Sequence, residues 1–289
     1  MSKTILITGT STGFGKDAAH TLAKAGHRVI ATMRDINGRS REAANELRSA
    51  GIEVVELDVT SNGSVAVAFQ KVSELTNGKL DVLINNAGLF AAGISETYSP
   101  EQMRDMFDVN VFGVHRVTRA ALPEMRKNGS GLIINIGSIL GRMTIPFIGL
   151  YGASKFAVEA MTESYRYELS QLGIDVVLVQ PSAYPTHLYA STQQAAQSDV
   201  AAEYGEVAAL PGAFSEFLQG VFSSDDAPDS HDVAVALAEL VATPAGARPE
   251  RVVVGASYGA DAVNDAVKPI QSGMVNSIGF DKLLSLKVG

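Results

Sequence analysis

Lys3-Thr4-Ile5-Leu6-Ile7-Thr8-Gly9-Thr10-Ser11-Thr12-Gly13-Phe14-Gly15 opens the chain and decides its fold. A short apolar run, rich in β-branched residues and lacking polar alternation, is a strand buried on both faces. Glycines follow at once, and then the amphipathic stretch Lys16–Ala25, closed by Gly26. A strand feeding a helix through a G-x-x-x-G-x-G loop suits a phosphate. Glycine permits the tight turn and the close backbone approach, and the helix start presents free N–H groups and a positive dipole end. The same residues also occur in ordinary turns. A P-loop is excluded, because no Gly-Lys-Ser/Thr ending is present.

The same alternation continues outward from this loop. Further strands are expected at Arg28–Met33, Glu53–Leu57, Val82–Ile84, Leu132–Ile136, Asp175–Val179 and Arg251–Val254. Helices are expected at Arg39–Ser49, Ser64–Leu75, Pro100–Lys127, Ala153–Leu172 and Asp232–Val241. Such a chain predicts an α/β fold: a Rossmann-type doubly wound parallel sheet of about seven strands, with helices on both faces. No linker-like tract divides it, so residues 1–289 are expected to form a single domain. The pattern weakens over about 185–229, which reads as a lid or substrate loop. The tail beyond Ser257 is ambiguous.

The chain has 289 residues, 46% apolar and 19% charged, with a net charge of -8 and no cysteine. The negative charge argues against general affinity for nucleic acid or an anionic membrane. Disulfides, thiolate catalysis and cysteine-ligated zinc are excluded. The five histidines lie at 20, 27, 115, 187 and 231, without metal-ligand spacing, and no metal site is expected. No apolar run approaches the roughly 20 residues of a membrane span. A soluble, cytoplasmic protein is expected.

Tyr151 and Lys155 stand four apart at a helix start, on one face. A cation beside a phenol lowers its pKa and makes it a usable acid/base. Alone, such a pair is more often surface decoration. Ser138 gives it weight, because it follows the strand Leu132–Ile136 at the carboxyl end, where open α/β sheets bind ligands. A hydroxyl and a phenol together suit a carbonyl that becomes an alkoxide.

Taken together, Thr8-Gly9…Gly13-Phe14-Gly15, Asn85-Asn86-Ala87-Gly88, Asn110, Ser138 and Tyr151 with Lys155 resemble the single-domain branch of the short-chain dehydrogenase/reductase family. The resemblance implies an oxidoreductase. Tyr151 would pass the proton, Ser138 would orient the substrate oxygen, Lys155 would bind the nicotinamide ribose, and Asn110 would help hold Lys155. Gly9, Ser11, Gly13, Phe14, Gly15, Arg34, Asp58, Val59, Asn86, Ala87, Gly88, Pro181 and Thr186 would line the cofactor. Where related chains carry Pro-Gly, this one has Pro181-Ser182, so the nicotinamide-side backbone is expected to differ.

Met33 and Arg34 end the second strand, where NAD-specific folds place an acid; a guanidinium there suits a 2′-phosphate, and NADP(H) is expected. Asp35 complicates this, since it is free to turn toward the ribose. Substrate choice falls to Ile139–Leu150 and Pro185–Phe222, whose Ile145, Pro146, Phe147, Phe214, Phe217 and Phe222 point to an apolar carbonyl or alcohol. His187, Tyr184 and Tyr189 are read first as loop polarity. A homodimer or homotetramer is expected through Val114, Val117, Ala121, Phe156, Val158 and Met161. The alternatives are a non-catalytic dinucleotide-binding redox sensor and a sugar-nucleotide epimerase-type enzyme.

Overall fold

A computed structural model describes residues 1–197 and 199–288. Among the described residues, seven strands form one parallel sheet in the order β3-β2-β1-β4-β5-β6-β7. They are β1 (Thr4–Thr8), β2 (Arg28–Met33), β3 (Glu53–Glu56), β4 (Val82–Asn85), β5 (Gly131–Ile136), β6 (Ile174–Pro181) and β7 (Arg251–Val254). The strand order reverses between β1 and β4. In open α/β sheets this opens a crevice at the carboxyl ends.

Side chains alternate across the sheet with a period of two. Ile5 and Ile7 pack on one side with α1 (Gly13–Lys24), α2 (Arg41–Ser49) and α9 (His231–Ala242). Leu6 and Ile30 pack on the other with α3 (Asn62–Thr76) and α5 (Val114–Asn128). Both faces are therefore covered, which is why the strands read as apolar runs and not as alternating ones.

The single long helix expected over Pro100–Lys127 is broken. Helix α4 (Pro100–Phe107), started by a Ser99/Gln102 capping box, passes into a π-helical turn at Asp108–Gly113 before α5 begins. One cause is local crowding. A Cβ on Gly113 would lie 2.9 Å from Val59 Cγ2, so the backbone passes close to the loop after β3. The turn also directs Asn110 inward to Leu89.

The weakly patterned region is more regular than expected. It holds α7 (His187–Ala190), a 3-10 stretch at Val200–Ala209 bent at Gly205 (φ +56°), and α8 (Leu210–Phe222). The ambiguous tail forms α10 (Ala260–Ser277). Helix α6 (Gly149–Ser170) carries Tyr151 and Lys155. A buried knot of charge ties it to α10 and to the loop after β5: Arg142 donates to Glu163 at 2.7 Å and to Asn264 at 3.0 Å, and Arg251 donates to Glu159 at 2.5 Å.

Of the residues expected at a dimer interface, Val114, Val117, Ala121 and Val158 are already buried inside the chain. Amphipathic period alone does not separate a core stripe from an interface stripe. Phe156 remains exposed on this side, as does Phe112.

Candidate active site

The glycine loop is held by hydrogen bonds and by close contact. Thr8 Oγ1 accepts from the backbone N–H of Asn86 (3.0 Å) and of Ala87 (3.1 Å). Asn86 Nδ2 donates to the carbonyls of Thr8 (2.9 Å) and Gly9 (3.0 Å). The loop after β4 thus clamps the loop after β1. Gly9 adopts φ +70°, and a Cβ there would sit 2.8 Å from Ala87 Cα. At Gly15 a Cβ would sit 2.4 Å from Asn86 Nδ2. Gly15 therefore packs beneath the loop and does not line the cleft, whereas Gly9, Ser11, Gly13 and Phe14 do. Phe14 also packs edge-on to the buried Tyr184, with ring centroids 5.6 Å apart.

The cleft has a volume of about 900 Å³ and runs along the carboxyl ends of the strands. It is lined at one end by Arg34, Asp58 and Val59, in the middle by Asn86, Ala87, Gly88, Pro181 and Thr186, and at the other end by Ser138, Tyr151 and Lys155. The sequence reading brought all of these together. Asn110, like Gly15, is an exception. It lies behind the cleft, 1% exposed, and is bonded to Leu89 through both amide atoms and to Ser154 Oγ at 2.9 Å. It makes no hydrogen bond to Lys155 among the described residues. Lys155 Nζ donates instead to the carbonyl of Ile136 at 2.8 Å.

Asp35 does not turn toward the ribose. It adopts φ +52°, and its carboxylate accepts from the backbone N–H of Arg39 at 2.9 Å, holding a tight turn. That turn brings Arg39 and Ser40 to the cleft beside Arg34, with Glu42 close by. Arg39 escaped the sequence reading, although a second arginine in the loop after β2 was visible. Asp58 feels both guanidinia. Burial works to raise its pKa, but the two Thr60 donors and the charges of Arg34 and Arg39 hold it below the usual aspartate value.

At the far end of the cleft, Tyr151 and Ser138 line the same wall, and the serine hydroxyl acts on the phenol. Lys155 Nζ lies 5.6 Å from the Tyr151 ring centroid. The expected lowering of the tyrosine pKa is not found. Burial pushes the Tyr151 phenol up, the nearby Tyr189 adds to this, and the Ser138 hydroxyl only partly opposes it. Burial also lowers Lys155, to about 8. Desolvation outweighs the pairwise attraction, because both groups sit inside the protein.

Ser182 fits without strain. Its φ is not positive, so glycine is not required by the backbone. A Cβ on Gly255 would meet Ser182 Oγ at 2.4 Å, so the glycine on the next strand leaves room for the serine hydroxyl. Thr186 caps α7 directly beside Gly13.

The substrate end is walled by rings and aliphatic chains. Phe90 stacks edge-on against Tyr151 and against Tyr189, each at 4.9 Å, and Tyr189 packs on Phe222 at 5.2 Å. Ile145, Phe214 and Phe217 line the cleft as expected, whereas Pro146, Phe147 and Phe222 do not. The Phe147 carbonyl instead accepts from Gly93 N at 2.7 Å. His187 lines the cleft from an exposed position.

Comparison with known proteins agrees with this geometry. The family model described as short chain dehydrogenase matches residues 3–197. The chain is 42% identical to a 3-ketodihydrosphingosine reductase of Bacteroides thetaiotaomicron, over 63% of this chain and 64% of that one. It is 38% identical to retinol dehydrogenase 8 of Bos taurus, over 64% of this chain and 60% of that one. The match therefore spans less than two thirds of either relative. A short-chain dehydrogenase from Streptomyces avermitilis superposes with a TM-score of 0.75 at 30% identity, covering 96% of both chains. An alcohol dehydrogenase from Thermococcus sibiricus complexed with 5-hydroxy-NADP gives 0.68 at 26% identity, covering 88% of this chain and 96% of that one. A Burkholderia phymatum member in complex with NAD gives 0.73 at 27% identity, covering 93% and 94%. The solved relatives thus bind nicotinamide dinucleotides of both kinds. The chain belongs to the short-chain dehydrogenase family.

Proposed function

We propose that the chain transfers a hydride between NADP(H) and a carbonyl or secondary alcohol on an apolar substrate. The observation that carries this reading is the meeting of Ser138, Tyr151 and Lys155 at one end of a cleft whose other end holds Arg34, Arg39 and Ser11. The cradle suits a dinucleotide because Gly9 and Gly13 line the cleft with no side chain to hold a pyrophosphate off the loop backbone. A 2′-phosphate would find two guanidinia and a hydroxyl, while Asp35 is engaged in its own turn.

The nicotinamide, when bound, supplies or accepts the hydride. The remaining chemistry belongs to the protein. Tyr151 keeps its proton across ordinary pH because it is buried, so it is a proton donor to a carbonyl being reduced. Ser138 Oγ is placed to bond the same oxygen and share its developing charge. Lys155, as a cation, offsets the charge left on the phenolate and would bind the nicotinamide ribose. Asn110 acts from behind: it holds Leu89 and, through Ser154, the start of α6.

The apolar wall of Phe90, Ile145, Phe214 and Phe217 supports an apolar substrate. Two relatives, named for 3-ketodihydrosphingosine and for retinol, point the same way. The whole chain is taken as one oxidoreductase domain with its lid at about 185–229. A homodimer or homotetramer formed through the exposed Phe112 and Phe156 belongs to the proposal, and light scattering that gave only monomer at micromolar concentration would exclude it. No helix among the described residues is long and apolar enough to cross a membrane. A cytoplasmic place is part of the proposal and is checked by fractionation. The deciding test is NADPH and NADH oxidation against a panel of apolar ketones. Turnover with NADPH supports the reading, and dinucleotide binding without turnover of any carbonyl would favour a redox sensor.

A further inference from the structure

We infer that Tyr189 recognises the substrate: its phenol hydroxyl donates to a second oxygen on the apolar substrate, so the preferred substrate is an oxygenated ketone and not a plain one. This rests on the carbonyl-reduction reading of the same cleft and adds a substrate class to it.

The ring of Tyr189 is fixed on two sides, by Phe90 at 4.9 Å and by Phe222 at 5.2 Å. Those contacts are edge-on or tilted and would be made equally well by phenylalanine. The hydroxyl therefore needs a separate reason. A buried tyrosine ordinarily finds a partner for its O–H. Tyr98, a few turns away, shows the rule: its hydroxyl bonds the carbonyls of Ala92 and Gln193. Tyr184 likewise reaches Asp232. Tyr189 has no such bond among the described residues, and burial alone pushes its pKa up, to about 12. Its hydroxyl is not sealed in the core either, since Tyr189 lines the cleft.

A half-buried donor with no bond among the described residues thus faces the cleft from within the apolar cluster of Phe90, Ile145, Leu188 and Phe214. It sits within electrostatic reach of Tyr151, whose phenol it raises, and is separated from it by the single ring of Phe90. A donor placed in this way leaves a plain hydrocarbon chain with an unpaired hydroxyl against it. A chain carrying an oxygen at the right distance satisfies it. Discrimination of this kind is larger than an added methylene achieves, because the alternative is a buried polar group without a partner.

The test uses methyl heptyl ketone and its counterparts hydroxylated on the second, fifth or terminal carbon of the heptyl chain. Each is assayed with the intact enzyme and with Tyr189→Phe. The readout is the ratio of kcat/KM for each hydroxyketone to that for the parent. The wild-type enzyme is expected to prefer one hydroxyketone by at least about tenfold, and Tyr189→Phe to lose most of that preference while unfolding at the same temperature. Absence of any preference in the wild type, or a preference that survives in Tyr189→Phe, overturns the assignment. If the wild type reduces none of the ketones, the parent included, the underlying reading falls and this one with it.

Discussion

At the glycine-loop end of the cleft nearly every residue is held by a backbone requirement or a polar bond, whereas the lid end is made of side chains that only have to fill space. Gly9 and Gly15 admit no Cβ, and Thr8 and Asn86 lock two loops together through four hydrogen bonds. Phe90, Ile145, Phe214 and Phe217 answer to no such demand. Apolar residues of similar volume exchange at modest cost, but an added Cβ against backbone does not. The first kind of constraint fixes residue identity and the second fixes only bulk. In the proposed function, dinucleotide binding rests on the first kind, and the fit of the apolar part of the substrate rests on the second.

The comparison breaks most visibly at Tyr151, where a single hydroxyl at the apolar end has a fixed identity. Tyr151→Phe is expected to lower turnover by at least about a hundredfold, with thermal unfolding and dinucleotide binding retained. Steady-state and single-turnover kinetics beside a fluorescence titration check it. Near-normal turnover would sink the mechanism. At the opposite end, Gly15→Ala should cost about 1–3 kcal/mol of stability through overpacking and weaken dinucleotide binding by roughly tenfold or more, or about 1.4 kcal/mol. A Cβ there meets Asn86 Nδ2 at 2.4 Å and the Gly9 carbonyl at 2.5 Å, so the clamp itself must move. Unchanged unfolding and binding would mean that the loop is far more yielding than its contacts imply.

The same contrast explains what the sequence made legible. All seven strands lay within a few residues of their positions, because a strand buried on both faces is an apolar run with sharp ends. The residues of the glycine loop, Ser138, Tyr151 and Lys155 were legible for a related reason: their spacing is imposed by the turn and the helix that present them. The π-helical turn was not legible, because Asp108–Gly113 keeps helical composition while its backbone widens to pass Val59. Arg39 was missed because its place depends on Asp35 closing a turn. Tyr184 and Tyr189, alike as loop tyrosines, part only in three dimensions. Both line the cleft, but one is buried against Phe14 and bonded to Asp232, and the other packs between Phe90 and Phe222 with no bond from its hydroxyl among the described residues. The direction of the Tyr151 pKa shift also needed the structure, since a neighbouring lysine lowers it only if burial does not win.

Cofactor choice sharpens the comparison inside the polar end itself. Arg34→Ala should raise the KM for NADPH about tenfold, within the range of a charge-assisted bond to a phosphate, and barely alter that for NADH. Arg39→Ala should act in the same direction. Met33→Asp should turn preference toward NADH by repelling the 2′-phosphate. An unmodified enzyme that already prefers NADH would undo this assignment.

A pH profile tests the buried pair. Lys155 is lowered by desolvation to about 8, so it is a cation below that pH and neutral above it. The cation is the form that offsets charge left on Tyr151 as its proton departs. Carbonyl reduction at saturating substrate should therefore be level below about pH 8 and decline above it, approaching tenfold per unit for a single proton. A profile that is flat from neutral pH to about 10 would show that the charge of Lys155 is not used.

The smallest effect is expected where the lid presents bulk alone. Phe217 lies on α8, lines the cleft, and is 62% exposed. Its ring contributes little to the fold, so Phe217→Ala should change stability by no more than about 0.5 kcal/mol. Its value would come when a substrate chain covers it. At about 25 cal/mol per Å², burying part of one ring corresponds to roughly 1 kcal/mol, or a KM increase of about fivefold. That increase should grow with the length of the apolar chain and vanish for a short ketone that does not reach α8. Phe217→Leu, which keeps most of the bulk, should recover most of the affinity. Equal losses for short and long ketones would show that Phe217 supports the site through the fold. Loss with Leu as large as with Ala would show that the ring itself is recognised, and the division between an end that specifies residues and an end that specifies only volume would then not hold at this position.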